Sequence, residues 1–261
     1  MTALAEIIAG LEPLEDGWRG AVPDGWLQGR TAYGGLSTAL ALHAAKQVEP
    51  DLPPLRSAQV SFIGPLAGAV TLRARTLRRG RNAAFVQADV ESEAGLGLRA
   101  VFVFMRDQES KVDHAVSRAP AFPKPGPGDR VYSGKSNDLS PSFLTNFDFV
   151  DRREEGEDPA DWLRWCRLKE RDGLDPEVEL AVMADCLPPA ALRLMRAFVP
   201  LSSMTWLLNL LGPVPRSEDG WWLLRAQTDY ARHGSSSQEM GIWSSDGAPV
   251  AQQMQSVAIF G

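Results

Sequence analysis

The chain has 261 residues, a net charge of −6 and a pI near 5.2, and 44% of its residues are hydrophobic. This length allows one large or two ordinary domains with a substantial core. An acidic chain lacks the positive field that general nucleic-acid binding requires, so no nucleic-acid partner is expected. The two cysteines, Cys166 and Cys186, are too few for a disulfide framework and indicate a reducing compartment.

The N-terminal sequence has no basic region and carries three glutamates among its apolar residues, MTALAEIIAGLEPLEDG. It predicts a short amphipathic helix rather than a signal peptide. No uninterrupted apolar run reaches the roughly 18 residues that are needed to span a bilayer. We therefore expect a soluble, cytoplasmic protein that does not enter a membrane.

The central feature of the first half is a helix within GRTAYGGLSTALALHAAKQVEP, residues 29–50. Nearly every residue from Leu36 to Val48 favours a helix, and Pro50 ends the run. A helix that is apolar nearly all round must be buried. A bent strand pair is predicted before it, over Gly17 to Gly29. Four strands are predicted after it: Ser57 to Ile63, Val70 to Leu77, Ala83 to Ser92 and Gly97 to Met105.

A polar, proline-rich segment from Asp107 to Asp129 predicts an extended linker. The order of predicted elements then repeats, with a second apolar helix predicted over Pro176 to Phe198. Two strands should precede it, Ser142 to Arg152 and Trp162 to Glu170, separated by an acidic loop from Glu154 to Asp161. Four strands should follow it: Ser202 to Leu211, Trp221 to Tyr230, Ser235 to Ser244 and Pro249 to Phe260.

A short sequence repeat supports a duplication of one unit within the chain. The first copy reads LRART over residues 72–76 and is followed by Gly80. The second reads LRAQT over residues 224–228 and is followed by Gly234. Together with the matching order of elements, this repeat predicts two α+β units, each a long helix wrapped by a curved antiparallel sheet. Their expected bounds are residues 1–106 and 130–261, joined by the linker at 107–129.

Several familiar catalytic motifs are missing from the sequence. It has no GxSxG, HExxH or P-loop motif, and the GxGxxA match at residues 95–100 falls between two strands. The histidines, His43, His114 and His233, are scattered over a helix, the linker and a turn. We therefore expect no metal site and no Ser/His constellation. Five arginines at positions 73, 75, 78, 79 and 81 form either a solvated strand face or a contact for an anionic substrate tail.

Two polar residues stand out in apolar surroundings. Asp185 follows the run LAVMA and precedes CLPPA, where a buried, unpaired carboxylate would cost several kcal/mol. It is either a reactive carboxylate or a cap for the segment that restarts after the prolines. In the last strand, alternation places Gln253 and Gln255 on the inward face with Val257. An inward glutamine is either a satisfied core amide or a group that positions a water molecule.

The chain resembles the acyl-CoA thioesterase II family of double hot-dog proteins. The resemblance rests on GRTAYGGLSTALALHAAK, SFIGPL followed by LRARTLRRGR, ADCLPPA and WSSDGAPVAQQMQSVAIF, and covers about residues 17–260. It implies a double hot-dog fold and a catalytic group of an Asp, a hydroxyl residue and a Gln, all in the second unit. The Asp falls on Asp185 and the Gln on Gln255.

The hydroxyl position departs from the family pattern, because Leu201 occupies it. Ser203 and Thr205 are predicted to share a strand face with Leu201, and Thr205 is the expected substitute. Tyr33, Gly34 and Gly35 are predicted to bind substrate, since free backbone N–H groups at a helix start can hold an oxyanion and glycine permits close approach. Tight packing of helix on sheet is the alternative explanation for the two glycines.

The expected function is hydrolysis of an acyl-CoA substrate to free acid and CoA, within lipid metabolism and without a cofactor. One alternative is a hot-dog hydratase, which needs an Asp and a His in its site, whereas Asp113-His114 lies in the linker. Another is an acyl-CoA binding protein without turnover, which Leu201 favours. Acyl chain length, pathway and the formation of a homodimer are left open by the sequence.

Overall fold

A computed structural model describes residues 2–134, 140–151, 158–197 and 199–260. Three α-helices are present in these ranges: α1 (Leu4–Ala9), α2 (Gly34–Lys46) and α3 (Pro176–Ala184). Short 3₁₀ helices cover Asp24–Trp26, Ser142–Asn146 and Ala190–Leu194. The strands are β1 (Glu12–Leu14), β2 (Gly17–Val22), β3 (Leu27–Gln28), β4 (Thr31–Ala32), β5 (Leu55–Phe62), β6 (Gly68–Arg79), β7 (Ala83–Ser92), β8 (Gly95–Met105), β9 (Tyr132–Ser133), β10 (Phe147–Val150), β11 (Asp161–Leu168), β12 (Leu201–Leu210), β13 (Trp221–Arg232), β14 (Ser235–Ser244) and β15 (Pro249–Ile259). None of these helices is long and apolar enough to cross a membrane.

The described strands form one continuous sheet and one small hairpin. The sheet has the order β1-β2-β6-β7-β8-β5-β12-β15-β14-β13-β11-β10-β9, and β3 pairs separately with β4. Antiparallel pairing of β5 with β12, where Val60 lies opposite Trp206, joins the two halves of the chain. Neither of these two strands is therefore left as an open edge.

The two main helices lie in the core, as the apolar patterns predict. In α2, Leu36, Leu40 and Leu42 are no more than 1% exposed, and the helix packs against α3 as well as the sheet. The N-terminus of α3 is capped by Asp175, whose carboxylate accepts the N–H groups of Glu177 and Val178. The central-helix prediction is therefore confirmed for both halves of the chain.

The predicted length of the second helix is wrong. It ends at Ala184, and Pro188 and Pro189, which have no N–H for helical hydrogen bonds, prevent it from continuing toward Phe198. Beyond them the chain forms only the 3₁₀ helix Ala190–Leu194. Phe198, the predicted end, lies outside the described residues.

The predicted strands are confirmed to within a few residues, with two corrections. Gly17 to Gly29 is not a strand pair, because β2 pairs with β1 and β6 and is followed by a 3₁₀ turn. The segment that begins at Ser142 starts as a 3₁₀ helix and becomes strand only at Phe147. Arg152 and the first half of the predicted acidic loop, residues 154–157, lie outside the described residues.

The two copies of the sequence repeat lie in β6 and β13, at equivalent places in the two halves of the sheet. Each strand is interrupted by a bulge directly after the threonine of the repeat, Thr76 in one and Thr228 in the other. Thr76 lies opposite Val86, and Thr228 lies opposite Gln238. Shared register and a shared irregularity support a duplicated origin of the two halves.

The linker has no helix or strand between residues 106 and 131, and part of it packs on the outer face of the second half. Ala119 and Phe122 contact a tryptophan-rich cluster that includes Trp165, Trp221 and Trp243. The Nε1–H of Trp165 donates to the carbonyl of Pro123 at 2.9 Å. The linker is therefore partly anchored, and the unit bounds 1–106 and 130–261 stay a proposal.

Candidate active site

Asp185 lies at the C-terminus of α3 and faces the N-terminus of α2. Its Oδ1 accepts a hydrogen bond from Nε2 of Gln255 at 2.9 Å, and the backbone N–H of Gly35 also favours the charged form of the carboxylate. The 3₁₀ helix after the prolines has Pro189 at its N-cap position, without a side-chain cap. Asp185 is therefore bound across the two halves of the chain and does not cap the segment that follows it.

The surroundings of Asp185 shift its titration toward neutral pH. Burial among protein atoms raises the pKa of its carboxyl from 3.8 to about 7, while the donors Gln255 and Gly35 act in the opposite direction. The residue keeps partial contact with solvent. A carboxylate with a pKa close to the working pH is suited to accept a proton in general base catalysis.

Close packing explains the glycine that begins α2. A β-carbon on Gly34 would lie 2.6 Å from Oδ2 of Asp185 and 3.0 Å from Cε1 of Phe62. A β-carbon on Gly35 would lie 2.6 Å from the ring of Tyr33. The glycines thus let the helix start approach both the carboxylate and the tyrosine ring.

Tyr33 holds the two helices together beside the carboxylate. It is 1% exposed, its ring stacks on Phe143 with centroids 4.1 Å apart, and its hydroxyl donates to the carbonyl of Val182 at 2.7 Å. Burial, followed by the charge of Asp185, raises the pKa of Tyr33 well above 10. Its hydroxyl is already engaged within the core, so its predicted contact with substrate gains no support from this arrangement.

Gln255 faces inward from β15, as the alternation predicts, and is 2% exposed. It lies opposite Trp206 on one side and Gln238 on the other. Nε2 of Gln238 donates to Oε1 of Gln255 at 2.7 Å. The neighbouring Gln253 instead accepts from Nε1 of Trp206 at 2.8 Å. The core-amide interpretation therefore suits Gln253, whereas Gln255 contacts the carboxylate.

Gln238 was not predicted from the sequence as a site residue. The signal for it was a lone glutamine in β14 that pairs with Gln255 once the β14–β15 hairpin register is fixed. Without that register, Gln238 is one of several polar residues in a strand.

The prediction that Ser203, Thr205 and Leu201 share a strand face is wrong. A bulge between Ser203 and Thr205 shifts the alternation, so Thr205 lies opposite Ser256 on one neighbour and Ser61 on the other. Its neighbour Trp206 points into the core, and Thr205 is exposed on the opposite face. Thr205 makes no hydrogen bond to Asp185 or Gln255 in the described part of the chain, and we do not include its hydroxyl in the proposed mechanism.

The other sequence candidates lie apart from this site. Arg73 pairs with Asp16 and Glu91 on a partly solvated strand, which fits the solvated-face interpretation. Asp113 and His114 are both exposed in the linker. Across the described ranges, no cluster of three or more His, Cys, Asp or Glu side chains is placed to hold a metal ion.

The duplication does not create a second copy of the site. The positions that match Gln238 and Gln255 in the first half are Val86 and Phe102, which pair with each other and are buried. At the other end of the helix pair, Nζ of Lys46 lies 2.7 Å from both Asp175 and Glu177. The Lys46 end of the helix pair therefore carries an ion-pair network in place of a second copy of the site.

Family models match most of the chain. A model described as the acyl-CoA thioesterase N-terminal domain matches residues 22–105, and one described as the acyl-CoA thioesterase C-terminal domain matches residues 116–259. No curated protein in the comparison matches the sequence significantly.

Solved structures are similar over nearly the full length of the chain. A conserved protein with a hot-dog fold from Alicyclobacillus acidocaldarius is 20% identical, with a TM-score of 0.86 and coverage of 100% of this chain and 99% of that one. A candidate thioesterase II from Thermobifida fusca YX is 21% identical, with a TM-score of 0.83 and coverage of 100% and 98%. An acyl-CoA thioesterase II, TesB2, from Mycobacterium marinum is 19% identical, with a TM-score of 0.74 and coverage of 99% and 97%. These similarities confirm the predicted double hot-dog fold.

Proposed function

The chain belongs to the acyl-CoA thioesterase family, and from this premise we propose that it hydrolyses an acyl-CoA thioester at Asp185. The observation that carries the proposal is the position of this carboxylate. It is partly exposed, its pKa is raised to about 7, and it faces the start of α2 while it accepts a hydrogen bond from Gln255. The substrate is an acyl-CoA, and the products are the free acid and CoA.

In the proposed reaction, Asp185 accepts a proton from a water molecule as the water oxygen attacks the thioester carbonyl carbon. Gln255 holds the carboxylate in place through Nε2, and its inward position suits it to orient the same water. Collapse of the tetrahedral intermediate breaks the C–S bond. The departing thiolate of CoA takes up the proton from Asp185, which returns to its starting state.

The negative charge that develops on the carbonyl oxygen needs a donor. The first N–H groups of a helix have no partner within the helix, and the dipole of α2 favours negative charge at this end. Gly34 is the first residue of α2 and packs directly against Asp185, so we assign the oxyanion contact to the N–H of Gly34. This refines the initial prediction, in which both glycines contacted the substrate.

The competing interpretation is a protein that binds acyl-CoA without turning it over. It rests on Leu201, an apolar residue opposite Ile259 where the family resemblance implies a hydroxyl. In the proposed mechanism, Asp185 and Gln255 act without a third side chain.

Turnover of acyl-CoA esters separates these interpretations. The purified chain is incubated with short, medium and long acyl-CoA esters, and released CoA is followed with a thiol-trapping dye. Multiple turnovers with at least one ester support hydrolysis if they are lost in Asp185→Asn and retained in the control Glu179→Gln, which changes a buried acid within α3. Saturable binding of acyl-CoA, without release of CoA from any of the esters, supports the interpretation as a binding protein instead.

A further inference from the structure

A chain of buried hydrogen bonds leads from the backbone after α3 to the carboxylate of Asp185. The N–H of Ala190 donates to Oε1 of Gln238 at 3.1 Å. Nε2 of Gln238 donates to Oε1 of Gln255 at 2.7 Å, and Nε2 of Gln255 donates to Oδ1 of Asp185 at 2.9 Å. Gln238 and Gln255 are 0% and 2% exposed, so both amides are shielded from bulk solvent.

The direction of this chain is fixed at its start. A backbone N–H can only donate, so the carbonyl oxygen of Gln238 must face Ala190 and its NH₂ group must face Gln255. Gln255 must then present its own carbonyl to Gln238 and its NH₂ group to Asp185. Pro188 and Pro189 carry no N–H, which makes Ala190 the first backbone donor after this proline pair.

We propose that Gln238 is a positioning residue, which orients the amide of Gln255 so that Gln255 always offers a donor to Asp185. This inference rests on the proposed function of Asp185 as the base. Gln238 makes no hydrogen bond to the carboxylate in the described part of the chain, and its effect passes through Gln255.

The first half of the chain shows that the fold itself does not need this amide pair. The same two positions of the duplicated sheet hold Val86 and Phe102, which lie opposite each other and are 0% and 1% exposed. Burying two amides in place of two apolar side chains costs desolvation energy even when both are hydrogen-bonded. The pair occurs in the half that holds the carboxylate, which indicates a role at the site.

The orientation of Gln255 matters because an amide can either donate to a carboxylate or accept from a protonated carboxyl. A fixed donor favours the charged form of Asp185. An amide free to rotate would turn its carbonyl toward Asp185 whenever the acid is protonated, and would stabilise that form too. Loss of Gln238 should therefore raise the pKa of Asp185.

Few other groups titrate near Asp185. Tyr33, directly before α2, is close enough for the charge of Asp185 to help raise its pKa, and the thiol of Cys186 is next to Asp185 in sequence. Burial is the main factor that raises the pKa of Tyr33 well above 10 and that of Cys186 well above 9. Both groups remain neutral between pH 5 and 8.5, so a titration in that range reports Asp185.

The test is a carboxyl ¹³C NMR titration of Asp185 in the parent, Gln238→Met and Gln253→Met, with Asp185→Asn to assign the signal. Methionine matches glutamine in length but lacks the donor. Gln253→Met is the matched control, because Gln253 is also a buried, hydrogen-bonded amide of the same sheet and bonds to Trp206 instead. We expect the Asp185 midpoint to rise by about one pH unit in Gln238→Met only. Since the carboxylate fraction at pH 7 then falls, kcat/KM at pH 7 should fall about fivefold and recover at higher pH.

An unchanged midpoint in Gln238→Met, or an equal rise in Gln253→Met, overturns the inference. If Gln238→Met does not fold, Gln238→Leu replaces it, because leucine also has no donor for Gln255 and adds no second titrating group. An unchanged Asp185 midpoint in that variant also overturns the inference. The titration needs no turnover, so absence of hydrolysis in the parent would count against the proposed function and leave the NMR result to decide the role of Gln238.

Discussion

Gly34 and Asp185 are in such close contact that a methyl group on residue 34 would lie 2.6 Å from Oδ2 of the carboxylate. The start of one central helix is thus packed directly against the end of the other. This contact places Asp185, the proposed base, beside the first N–H groups of α2, where the proposed mechanism holds the carbonyl oxygen while water attacks its carbon.

Gly34→Ala should therefore impair hydrolysis. The added methyl group must displace either the carboxylate or the ring of Phe62, and a displacement of this size costs about 10- to 100-fold in rate. The measurement is kcat/KM with the best acyl-CoA ester. Gly212→Ala is the control, because a β-carbon there meets nothing within 4 Å. Equal rates in parent and Gly34→Ala would show that the carboxylate does not act from this position.

The rate should depend on pH through Asp185. Its pKa is raised to about 7, and only the carboxylate can accept a proton from water. We expect log kcat/KM to rise with pH at acidic values and to level off above about pH 7. A profile that is flat from pH 5 to pH 8 would exclude Asp185 as the base.

The same raised pKa predicts a cost in stability. Folded Asp185 holds its proton more tightly than the unfolded chain, so its contribution to stability is lost as pH rises from about 4 to about 7. Asp185→Asn removes this ionisation. The variant should gain about 1–3 kcal/mol of unfolding free energy relative to the parent at pH 8, and much less at pH 4. Urea denaturation at the two pH values measures this difference, and an equal difference at both would contradict the assignment.

The helices and long strands could be predicted because each follows from local pattern, such as the all-apolar run of α2 or the alternation in β15. Asp185 stood out because a carboxylate in an apolar run needs compensation. The predicted strand face of Thr205 was wrong because the bulge in β12 cannot be recognised from the alternation of apolar and polar residues. Gln238 was missed because its meaning depends on pairing with Gln255, which is a property of sheet register.

The continuous sheet predicts that the two halves fold together. A fragment of residues 1–106 would expose the edge of β5 that pairs with β12, and the face of α2 that packs on α3. We expect this fragment to aggregate or to lack a cooperative thermal transition, whereas the full chain melts cooperatively. Size-exclusion chromatography and calorimetry would measure both, and a monomeric fragment with a cooperative transition would show that the first unit is independent.

The most direct test of the central claim is the rate of CoA release by Asp185→Asn at saturating acyl-CoA. Asparagine keeps the shape of the side chain but accepts no proton from water, so we predict a loss of about 10²- to 10⁴-fold. Glu179→Gln is the matched control, since Glu179 is another buried acid of α3 whose pKa is raised by burial. It should keep the parental rate. Hydrolysis by Asp185→Asn at a rate close to that of the parent would contradict the assignment of Asp185 as the base.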